Sequence, residues 1–341
     1  MATLEDIARE VGVSASTVSR AMSRPDSVAA VTRARILKVA GRLGYQPNLL
    51  ARNLRQGSSK TIGLILSEIQ NSFNATVAKG VQDVAYQHGY SLILCNTDED
   101  EAKEALSLEV LLAQQVEGLI VIPTHHTQRH LERVRRVPLV EVDRLSGQRG
   151  VQAVLADNVG GAQAAIRHLL DLGHTRIGAL ISRPGVTTAT ERLSGYQRAL
   201  ETAGIALRPQ WVRMGNTLTE PGQVQGQQAA LELLKLAHTG ELTALFCSNN
   251  NMTYRALEGV QELGLRLPHD LSLVGFDDEP GFRFTAPPLT VVEQPGYALG
   301  QAAAEHLFNQ LERQQPAPGG VTRFETRLIV RGSSGPVPGP G

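Results

Sequence analysis

The chain lacks the features that mark a secreted, disulfide-bonded or membrane-spanning protein. Its 341 residues include only two cysteines, Cys95 and Cys247, each in an apolar run where a small buried hydrophobe is the usual role. No apolar run approaches the roughly 18 residues that a bilayer span requires. The first ten residues, MATLEDIARE, are charged where a signal peptide needs an apolar stretch. We therefore expect a cytoplasmic protein with no membrane partner.

Aromatic residues are also scarce, at 4%, but 42% hydrophobic and 19% charged residues are typical of a soluble globular protein. The net charge of zero conceals an asymmetry. Residues 1–60 contain ten basic and four acidic residues, a charge of +6, whereas the rest contains 23 basic and 29 acidic residues, a charge of −6. A basic N-terminal segment on an acidic body predicts a polyanionic partner for that segment alone.

Three short helices are predicted in the basic segment. Thr3 and Asp6 have the spacing of a capping box, and the apolar periodicity that follows predicts a helix ending at Gly12. Ser14 can cap a second helix over residues 15–22. A third apolar stripe, Ile36, Val39, Ala40 and Leu43, ends before Gly44.

Two helices joined by a tight glycine-containing turn in a basic segment are typical of a DNA-reading helix-turn-helix, whose second helix lies in the major groove. Arg20 can pair bidentately with a guanine, Ser16 shares its exposed face, and Ala15 can at most touch a thymine methyl. Three short hydroxyl donors are candidates for phosphate contacts: Ser14, Thr17 and Ser19. A structural three-helix module with a solvated basic face is the alternative.

From residue 61, nine short apolar runs alternate with amphipathic stretches: TIGLIL, YSLILC, GLIVIP, PLVEVD, QAVLAD, RIGALIS, TALFCS, LSLVGF and LTVVEQ. The alternation predicts buried strands of parallel sheets with helices on both faces. The predicted helices cover residues 75–88, 101–115, 158–172, 190–203, 222–237, 250–263 and 296–313. Two similar series, opening with KTIGLILS and TRIGALIS, predict two α/β lobes, and the Gly/Pro-rich tail GSSGPVPGPG is predicted to be disordered.

The stretches TLEDIAREVGVSASTVSRAMS, PNLLARNLRQGSSKTIGLIL, DNVGGAQAAIRHLLDLGHTRIGAL and LRLPHDLSLVGFDD resemble the LacI/GalR family of bacterial transcription regulators. The resemblance runs from residue 3 to about 332. It implies four parts: a helix-turn-helix domain (1–46), a hinge helix and linker (47–60), a two-lobed ligand-binding and dimerisation domain of the periplasmic-binding-protein type (61–332), and the tail (333–341).

The resemblance also assigns roles near the hinge, which in the family folds beside its twin on operator binding. Leu54 stands where the family inserts a leucine into the minor groove, and an ordinary core leucine is the alternative. Asn48 and Arg52 match hinge positions near the DNA backbone and minor groove. Ala29 and Ala30 stand where relatives usually cap the third helix with Ser or Asp, so we expect that helix to be less stable by about 1 kcal/mol.

In the family fold a small ligand binds between the lobes, at the carboxyl ends of the strands. Residue-by-residue matching predicts a site of Asn74, Thr124, Asp143, Arg144, Arg192, Asn249 and Asp277. Carboxylates, amides and guanidinium groups together suit a hydroxyl-rich ligand. In a nucleobase-sensing branch of the family, the residue at the position of Thr217 stacks on a purine. Threonine at this position makes a purine less favoured as the ligand than a sugar. A lobe-to-lobe salt bridge is the alternative for Arg192 and Asp277, and Asn250 replaces the Asp that is common in the family.

We expect no enzyme activity, cofactor or metal. QGSSK lacks the Walker spacing, VGG is not followed by a phosphate-binding pattern, and no G-x-S-x-G occurs. The histidines His125, His126 and His130 lie in a polar stretch without neighbours that would orient their rings.

The prediction is a homodimeric repressor that binds a pseudo-palindromic double-stranded DNA operator with an affinity controlled by a sugar or sugar derivative. The tail has no leucine heptads that would form a tetramer. Control by a protein corepressor or a nucleoside is one alternative. A sugar-binding or enzyme module whose head docks a protein is another.

Overall fold

The computed structural model describes residues 2–45, 58–124, 127–131, 134, 137–182, 185–215, 225–313 and 319–337. The chain divides into two units, Met1–Ser59 and Lys60–Gly341. We call the described part of the first unit that precedes residue 46 the head, and the second unit the body.

The head contains three helices: α1 (Leu4–Val11), α2 (Ala15–Ser23) and α3 (Ala30–Arg42). The predicted capping box is present, with the backbone N–H of Thr3 donating to Asp6 at 2.9 Å and that of Asp6 to the Thr3 hydroxyl at 3.2 Å. Gly12 ends α1 with a left-handed φ of 76°, which glycine adopts without steric cost. The Ser14 hydroxyl accepts from the N–H of Thr17, so the predicted start of the second helix is confirmed.

A small apolar core joins the three helices, and its centre is formed by the fully buried Ile7, Val18 and Ile36. Ala29 precedes α3 and supplies no side-chain cap, as predicted. Ala15 is partly buried against this core, so its methyl group already has an apolar partner within the head.

The body contains twelve strands among its described residues: β1 (Thr61–Leu66), β2 (Ser91–Asn96), β3 (Gly118–Val121), β4 (Leu139–Val142), β5 (Gln152–Ala156), β6 (Ile177–Ile181), β7 (Val212–Met214), β8 (Ala244–Cys247), β9 (Ser272–Phe276), β10 (Thr290–Glu293), β11 (Val321–Phe324) and β12 (Arg327–Ile329). All nine predicted strands are confirmed. The other three, β7, β11 and β12, are short and partly exposed, so they lack the buried apolar run by which the others were predicted.

The strands form two six-stranded sheets with the orders β11-β5-β4-β3-β1-β2 and β12-β10-β9-β8-β6-β7. The two orders are the same once β6–β10 are matched to β1–β5. The pairings are parallel except that of β10 with β12. The predicted two-lobed, parallel α/β architecture is therefore confirmed, and each lobe carries its own sheet.

The described part of the body has eight helices: α4 (Ser72–Gln87), α5 (Glu101–Ala113), α6 (Gln128–Leu131), α7 (Asn158–Asp171), α8 (Thr187–Thr202), α9 (Gln225–His238), α10 (Asn250–Glu262) and α11 (Gly296–Arg313). Seven were predicted, and the exception is the four-residue α6. Apolar clusters fill both faces of each sheet, which explains why the strands read as continuous apolar runs.

The chain crosses between the lobes after β5, after β10 and between β11 and β12. Helix α11 follows β10 of the second lobe but packs against α4 of the first. A Cβ atom on Gly300 would lie 2.1 Å from the Val77 carbonyl oxygen, and one on Gly80 would lie 2.3 Å from that of Tyr297. Only glycine permits this approach, which fixes the two helices together.

The predicted disorder of the tail is wrong for residues 333–337. The Ser333 hydroxyl accepts from the N–H of Thr290 at 2.8 Å and donates to the Leu273 carbonyl at 2.6 Å. The Gly335 carbonyl accepts from His174 Nε2 at 2.9 Å. The tail is ordered because its backbone and hydroxyl groups find buried partners in the second lobe. Residues 338–341 lie outside the described part.

Both cysteines are free: Cys247 is buried, as predicted, and Cys95 is only partly buried on β2. Within the described ranges, no helix is long and apolar enough to cross a membrane.

Candidate ligand cleft and DNA-reading helix

The second helix of the head presents a short polar edge. Ser16 and Arg20 are exposed and lie one turn apart, with Arg20 Nε 3.4 Å from the Ser16 carbonyl. The Ser14 hydroxyl caps the helix and also lies 2.8 Å from Thr17 Oγ1. Ser19 is partly buried. The predicted contact residues therefore extend from the N-cap of α2 to its sixth residue, Arg20, and Ser14 also caps the helix.

Several predicted site residues lie outside the described residues, and their places are not assigned. They are the hinge positions Asn48, Arg52 and Leu54. Thr217, which favoured a sugar over a purine, and the histidines His125 and His126, which were not predicted to bind a metal, also lie outside the described residues. Among the residues that are described, no group of three or more His, Cys, Asp or Glu side chains is placed to hold a metal ion.

A cleft lies between the carboxyl ends of the two sheets and encloses about 460 Å³, including the space open to solvent. The cleft is lined by Asn71, Phe73, Asn74, Glu99, Asp143, Arg144, Ser182, Val186, Thr188, Arg192, Asn249, Asp277 and Gln294. Six of the seven predicted ligand residues are in this set, and Thr124 is not.

The first lobe contributes an arginine held by two carboxylates. Arg144 Nη1 lies 2.6 Å from Glu99 Oε1, and Arg144 Nε lies 3.4 Å from Asp143 Oδ2. Burial opposes the charge on Arg144, but the two carboxylates outweigh it and the pKa of the guanidinium lies above its usual range. Burial raises the pKa of Asp143 to about 6, although Arg144 and Arg192 oppose that shift.

The second lobe contributes an arginine held without a carboxylate. Arg192 Nε donates to Asn158 Oδ1 at 2.8 Å, and Nη1 donates to the Ser248 carbonyl at 2.7 Å. The guanidinium lies 3.8 Å from the centre of the Phe276 ring. Burial lowers the pKa of Arg192, while Asp277 and Asp143 oppose that shift. These hydrogen-bond partners are all in the second lobe, so they favour a cleft-facing role over a lobe-to-lobe salt bridge.

Asp277 and Asn249 complete the predicted residues of the second lobe. Asp277 Oδ1 accepts from Gln294 Nε2 at 2.5 Å, and Oδ2 accepts from the N–H of Asn250 at 3.3 Å. Asn249 Oδ1 caps α10 by accepting from the N–H of Met252 at 2.9 Å. Asp277 thus has no lobe-to-lobe salt bridge among the contacts of the described residues.

The two remaining predictions differ in outcome. Asn74 reaches the cleft, but its amide also donates to Ser67 Oγ at 3.0 Å and to the Glu68 carbonyl at 2.9 Å, which fixes the loop after β1. The structure does not bring Thr124 to the cleft. Its backbone N–H donates to the buried Glu104 carboxylate at 3.0 Å, because that carboxylate needs donors inside the first lobe.

Three buried acceptors of the cleft have no hydrogen-bond partner among the described residues: Glu99 Oε2, Asp143 Oδ1 and Gln294 Oε1. Leaving such atoms unpaired is unfavourable, so they favour a ligand with several hydrogen-bond donors. Sequence reasoning missed Glu99 and Gln294. Their signal was position alone, because both closely follow strands of the predicted sheets.

Side-chain amides also bridge the lobes at the cleft. Asn71 and Asn250 exchange hydrogen bonds of 3.3 and 3.4 Å, and Asn251 Nδ2 donates to Glu68 Oε2 at 3.2 Å. Asn250 donates further to Glu279 Oε1 at 2.5 Å. The amide at position 250 therefore donates both to a carboxylate and across the cleft, and an aspartate does neither.

Comparison with known proteins adds family evidence to this geometry. The model for bacterial regulatory proteins of the lacI family matches residues 3–48, and that for the periplasmic binding protein-like domain matches residues 166–334. The transcriptional repressor PurR of Haemophilus influenzae (strain PittEE) is 33% identical over 340 residues, which is 98% of each chain.

Solved structures with similar folds include proteins bound to DNA and to sugars. The lac repressor dimer bound to operator and the anti-inducer ONPF has a TM-score of 0.85 at 27% identity, covering 98% of this chain and 99% of that one. The CelR–cellobiose complex has a TM-score of 0.73 at 28% identity, covering 98% and 100%. A putative ribose operon repressor from Burkholderia thailandensis has a TM-score of 0.71 at 35% identity, covering 79% and 98%. With its helix-turn-helix head, its two-lobed body and its full-length relative, this chain belongs to the LacI family of bacterial regulatory proteins.

Proposed function

We propose that this protein is a transcriptional repressor that binds a pseudo-palindromic operator as a homodimer, and that a sugar or sugar derivative controls its affinity for DNA. The observation that carries the proposal is the cleft, where unpaired buried acceptors from both lobes face the same space. In one chain this cleft is joined to a basic helix-turn-helix. Because its partner is chromosomal DNA, the protein acts in the bacterial cytoplasm and associates with the nucleoid when bound.

The DNA-reading role rests on the exposed edge of α2. Arg20 reads a base edge and Ser16 lies beside it, while the small head depends on the dimer for alignment on two half-sites. Ser14, Thr17 and Ser19 are assigned to phosphate contacts, and Ala15 to an apolar contact weakened by its packing in the head core. The hinge roles of Asn48, Arg52 and Leu54 belong to the same proposal.

Ligand control is a linkage between two equilibria. A ligand that contacts Asp143 and Arg144 of one lobe and Arg192, Asn249 and Asp277 of the other binds the closed arrangement better than the open one. The ligand therefore shifts the equilibrium between the open and closed arrangements by the difference between its affinities for the two. The affinity for the operator changes by the same coupling free energy. A sugar is favoured because each hydroxyl both donates and accepts, and because CelR was solved with cellobiose.

Exposed apolar side chains of the body support the homodimer. Phe284 is 86% exposed, and Tyr254, whose ring centre lies 5.0 Å from that of Phe282, is 42% exposed. Leu106 on α5 is 60% exposed. The lac repressor dimer, which is similar over 98% of this chain, is what supports the same assembly here, and these side chains are candidates for its interface. Light scattering should show a dimer that Phe284→Asp converts to a monomer.

An operator titration tests the DNA half of the proposal. An operator is first recovered by selection from random DNA, and binding is followed by fluorescence anisotropy at several salt concentrations. Affinity should fall steeply with salt. Arg20→Ala should lose roughly 1–3 kcal/mol of discrimination at one base pair of each half-site. Arg9→Ala, which removes another exposed cation, this one from α1, should keep the base preference. Binding that is indifferent to salt contradicts the proposal.

Calorimetry tests the ligand half. A panel of neutral sugars and nucleosides is titrated into the full-length protein with and without operator. A sugar that binds and changes operator affinity supports the proposal. If only a nucleoside binds, the controlling ligand is a nucleoside and not a sugar. If no member of the panel binds, the controlling partner is a protein corepressor.

A further inference from the structure

Glu99 enters the cleft through an unusual backbone path. After β2 the chain passes through two successive left-handed residues, Asp98 with φ 49° and Glu99 with φ 58°. Residues with side chains adopt this region only when surrounding contacts impose it. Here Asn96 Nδ2 donates to Asp98 Oδ1 at 2.5 Å, Lys103 pairs with the same carboxylate, and the N–H of Glu99 donates to the Ser67 carbonyl at 3.0 Å.

The path places a charged side chain where burial is unfavourable. Glu99 is only 9% exposed, one carboxylate oxygen pairs with Arg144, and the other, Oε2, has no hydrogen-bond partner among the described residues. Backbone strain, burial and an unpaired carboxylate oxygen coincide at Glu99. Together they indicate that its side chain has a role in the cleft.

We infer that Glu99 restricts the cleft to neutral polyhydroxy ligands and excludes their phosphate esters. This inference rests on the proposed function, since it concerns the ligand of the same cleft. Glu99 holds Nη1 of Arg144 at 2.6 Å, whereas Nε lies 3.4 Å from Asp143 Oδ2 and makes no hydrogen bond to any described residue, so a phosphate reaches this guanidinium only in the company of two carboxylates.

The other cation of the cleft is engaged as well. Arg192 donates to Asn158 and to the Ser248 carbonyl and lies against the Phe276 ring. Among the described lining residues, Arg144 and Arg192 are the basic side chains, against three carboxylates from Glu99, Asp143 and Asp277. A phosphate group in the cleft therefore meets net negative charge and must compete with Glu99 for its cation.

A neutral sugar meets the opposite situation. A hydroxyl donates to Glu99 Oε2 without displacing Arg144, and the same hydroxyl can accept from a neighbouring donor. Glu99 thus acts in two ways, as an acceptor for the ligand and as the group that holds Arg144 in place.

Paired ligands test the inference by calorimetry on the full-length protein. Ribose is compared with ribose 5-phosphate, and glucose with glucose 6-phosphate. The parent should bind the neutral member at least about 100-fold more tightly, because placing like charges together at a desolvated site is strongly unfavourable. Glu99→Gln should weaken the neutral sugar about 10-fold, the loss expected for a charged hydrogen bond. In the same variant, the ratio of the affinity for the neutral sugar to that for its phosphate ester should fall by about 10-fold or more.

Inorganic phosphate gives a readout that does not depend on knowing the sugar. At millimolar concentration it should raise the Tm of the Glu99→Gln variant by about 2 °C or more and leave that of the parent unchanged. Unchanged Trp211 fluorescence and far-UV circular dichroism without ligand confirm that the variant is folded. Glu232→Gln is the matched control, because it also removes a carboxylate that pairs with an arginine. Glu232 lies 2.6 Å from Arg213, and neither residue lines the cleft. This variant should behave as the parent in every assay.

The outcomes separate the two proposals. If an ester binds the parent as tightly as its neutral sugar, or if phosphate stabilises parent and variant equally, the inference is overturned while sugar control stands. If phosphate stabilises the variant alone but no sugar binds, the exclusion of phosphate by Glu99 is supported and the proposed control by a sugar is overturned. If phosphate stabilises neither protein and no ester gains affinity in the variant, Glu99 does not set the selectivity.

Discussion

Asp143 and Asp277 occupy equivalent positions in the two lobes. Each directly follows its strand, β4 or β9, and each has a left-handed backbone, with φ of 68° and 76°. The two strands hold the same place in their sheets, beside β3 and β5 in one and beside β8 and β10 in the other. The internal repeat therefore supplies one buried carboxylate from each lobe to a single cleft. Each of these carboxylates needs a nearby cation or a hydroxyl donor.

Ligand binding should release protons near pH 6. Burial raises the pKa of Asp143 to about 6 in the free protein. A sugar hydroxyl that donates to this side chain stabilises the carboxylate and lowers its pKa in the complex. Affinity should therefore decrease as the pH falls from 7 to 5. Calorimetry at pH 6 in buffers of different ionisation enthalpy measures the protons released.

Asp143→Asn is the control for that experiment. Asparagine does not titrate, so the variant should bind more weakly but with an affinity that no longer depends on pH between 7 and 5. A parent protein that binds equally well across this range contradicts the assignment of Asp143 to the ligand.

Asn250→Asp should separate the lobes. The amide of Asn250 donates to Glu279 and to Asn71, and an aspartate would lose both bonds and face the Glu279 carboxylate. We expect the closed arrangement to lose about 2–3 kcal/mol, because a buried charge is left unpaired. Small-angle scattering should show a larger radius of gyration without ligand.

Adding Glu279→Gln to Asn250→Asp supplies a neutral donor opposite the new carboxylate. The double variant should return toward the parent in scattering and in ligand affinity, since glutamine can donate where the glutamate repelled. A double variant as open as the single one shows that the lost donation to Asn71, and not repulsion by Glu279, opens the lobes.

His174→Ala should destabilise the second lobe by about 2–4 kcal/mol, since it leaves buried polar groups without partners. The ring is fully buried and bonds Thr243 Oγ1 at 2.9 Å, Ser272 Oγ at 3.1 Å and the Gly335 carbonyl at 2.9 Å. Urea denaturation followed by Trp211 fluorescence measures the loss. The exposed His269→Ala should change stability by less than about 0.5 kcal/mol.

The same histidine predicts the direction of a pH effect. Burial lowers the pKa of His174 below its usual range, so the folded state favours the neutral ring. Its contribution is fully present above the unfolded pKa and is lost as the pH falls through the lower folded value. The difference in stability between the parent and His174→Ala should therefore shrink below about pH 6. A difference that grows on acidification contradicts this reading.

Ala29→Ser should stabilise the head. Helix α3 begins without a side-chain cap, and a serine at this position gives about 1 kcal/mol in comparable helices. Hydrogen exchange of head peptides in the full-length protein should slow accordingly. Ser14→Ala, which removes the existing cap of α2, should have the opposite effect by a similar amount.

Most of the fold was predictable because its signals are local. The capping box at Thr3 and Asp6, the left-handed Gly12 and the apolar runs of the sheets all act over a few residues. Strands β11 and β12 were missed because each is short and has no fully buried position, so their sequences do not form a buried run. The ordered tail was missed because composition does not reveal its distant partners, His174 among them.

The site was predictable only in part. Asp143 and Asp277 follow strands whose ends meet at one edge, so their convergence follows from the topology. Thr124 follows a strand too, but the buried Glu104 holds its backbone inside the lobe, and nothing in the local pattern shows this. Glu99 reaches the cleft through a left-handed turn that no periodicity indicates.

The sequence by itself determined the elements, their alternation and the basic head, because helix caps, apolar periodicity and charge are written within each segment. Tertiary structure decided which segments meet. The glycines of α4 and α11 join a helix that follows the second sheet to the first lobe, and the two sheets then face each other. Packing within the first lobe places Glu99 on Arg144, and the approach of the two lobes places Asn250 opposite Asn71. These contacts decide which buried polar atoms of the cleft are left without a hydrogen-bond partner among the described residues.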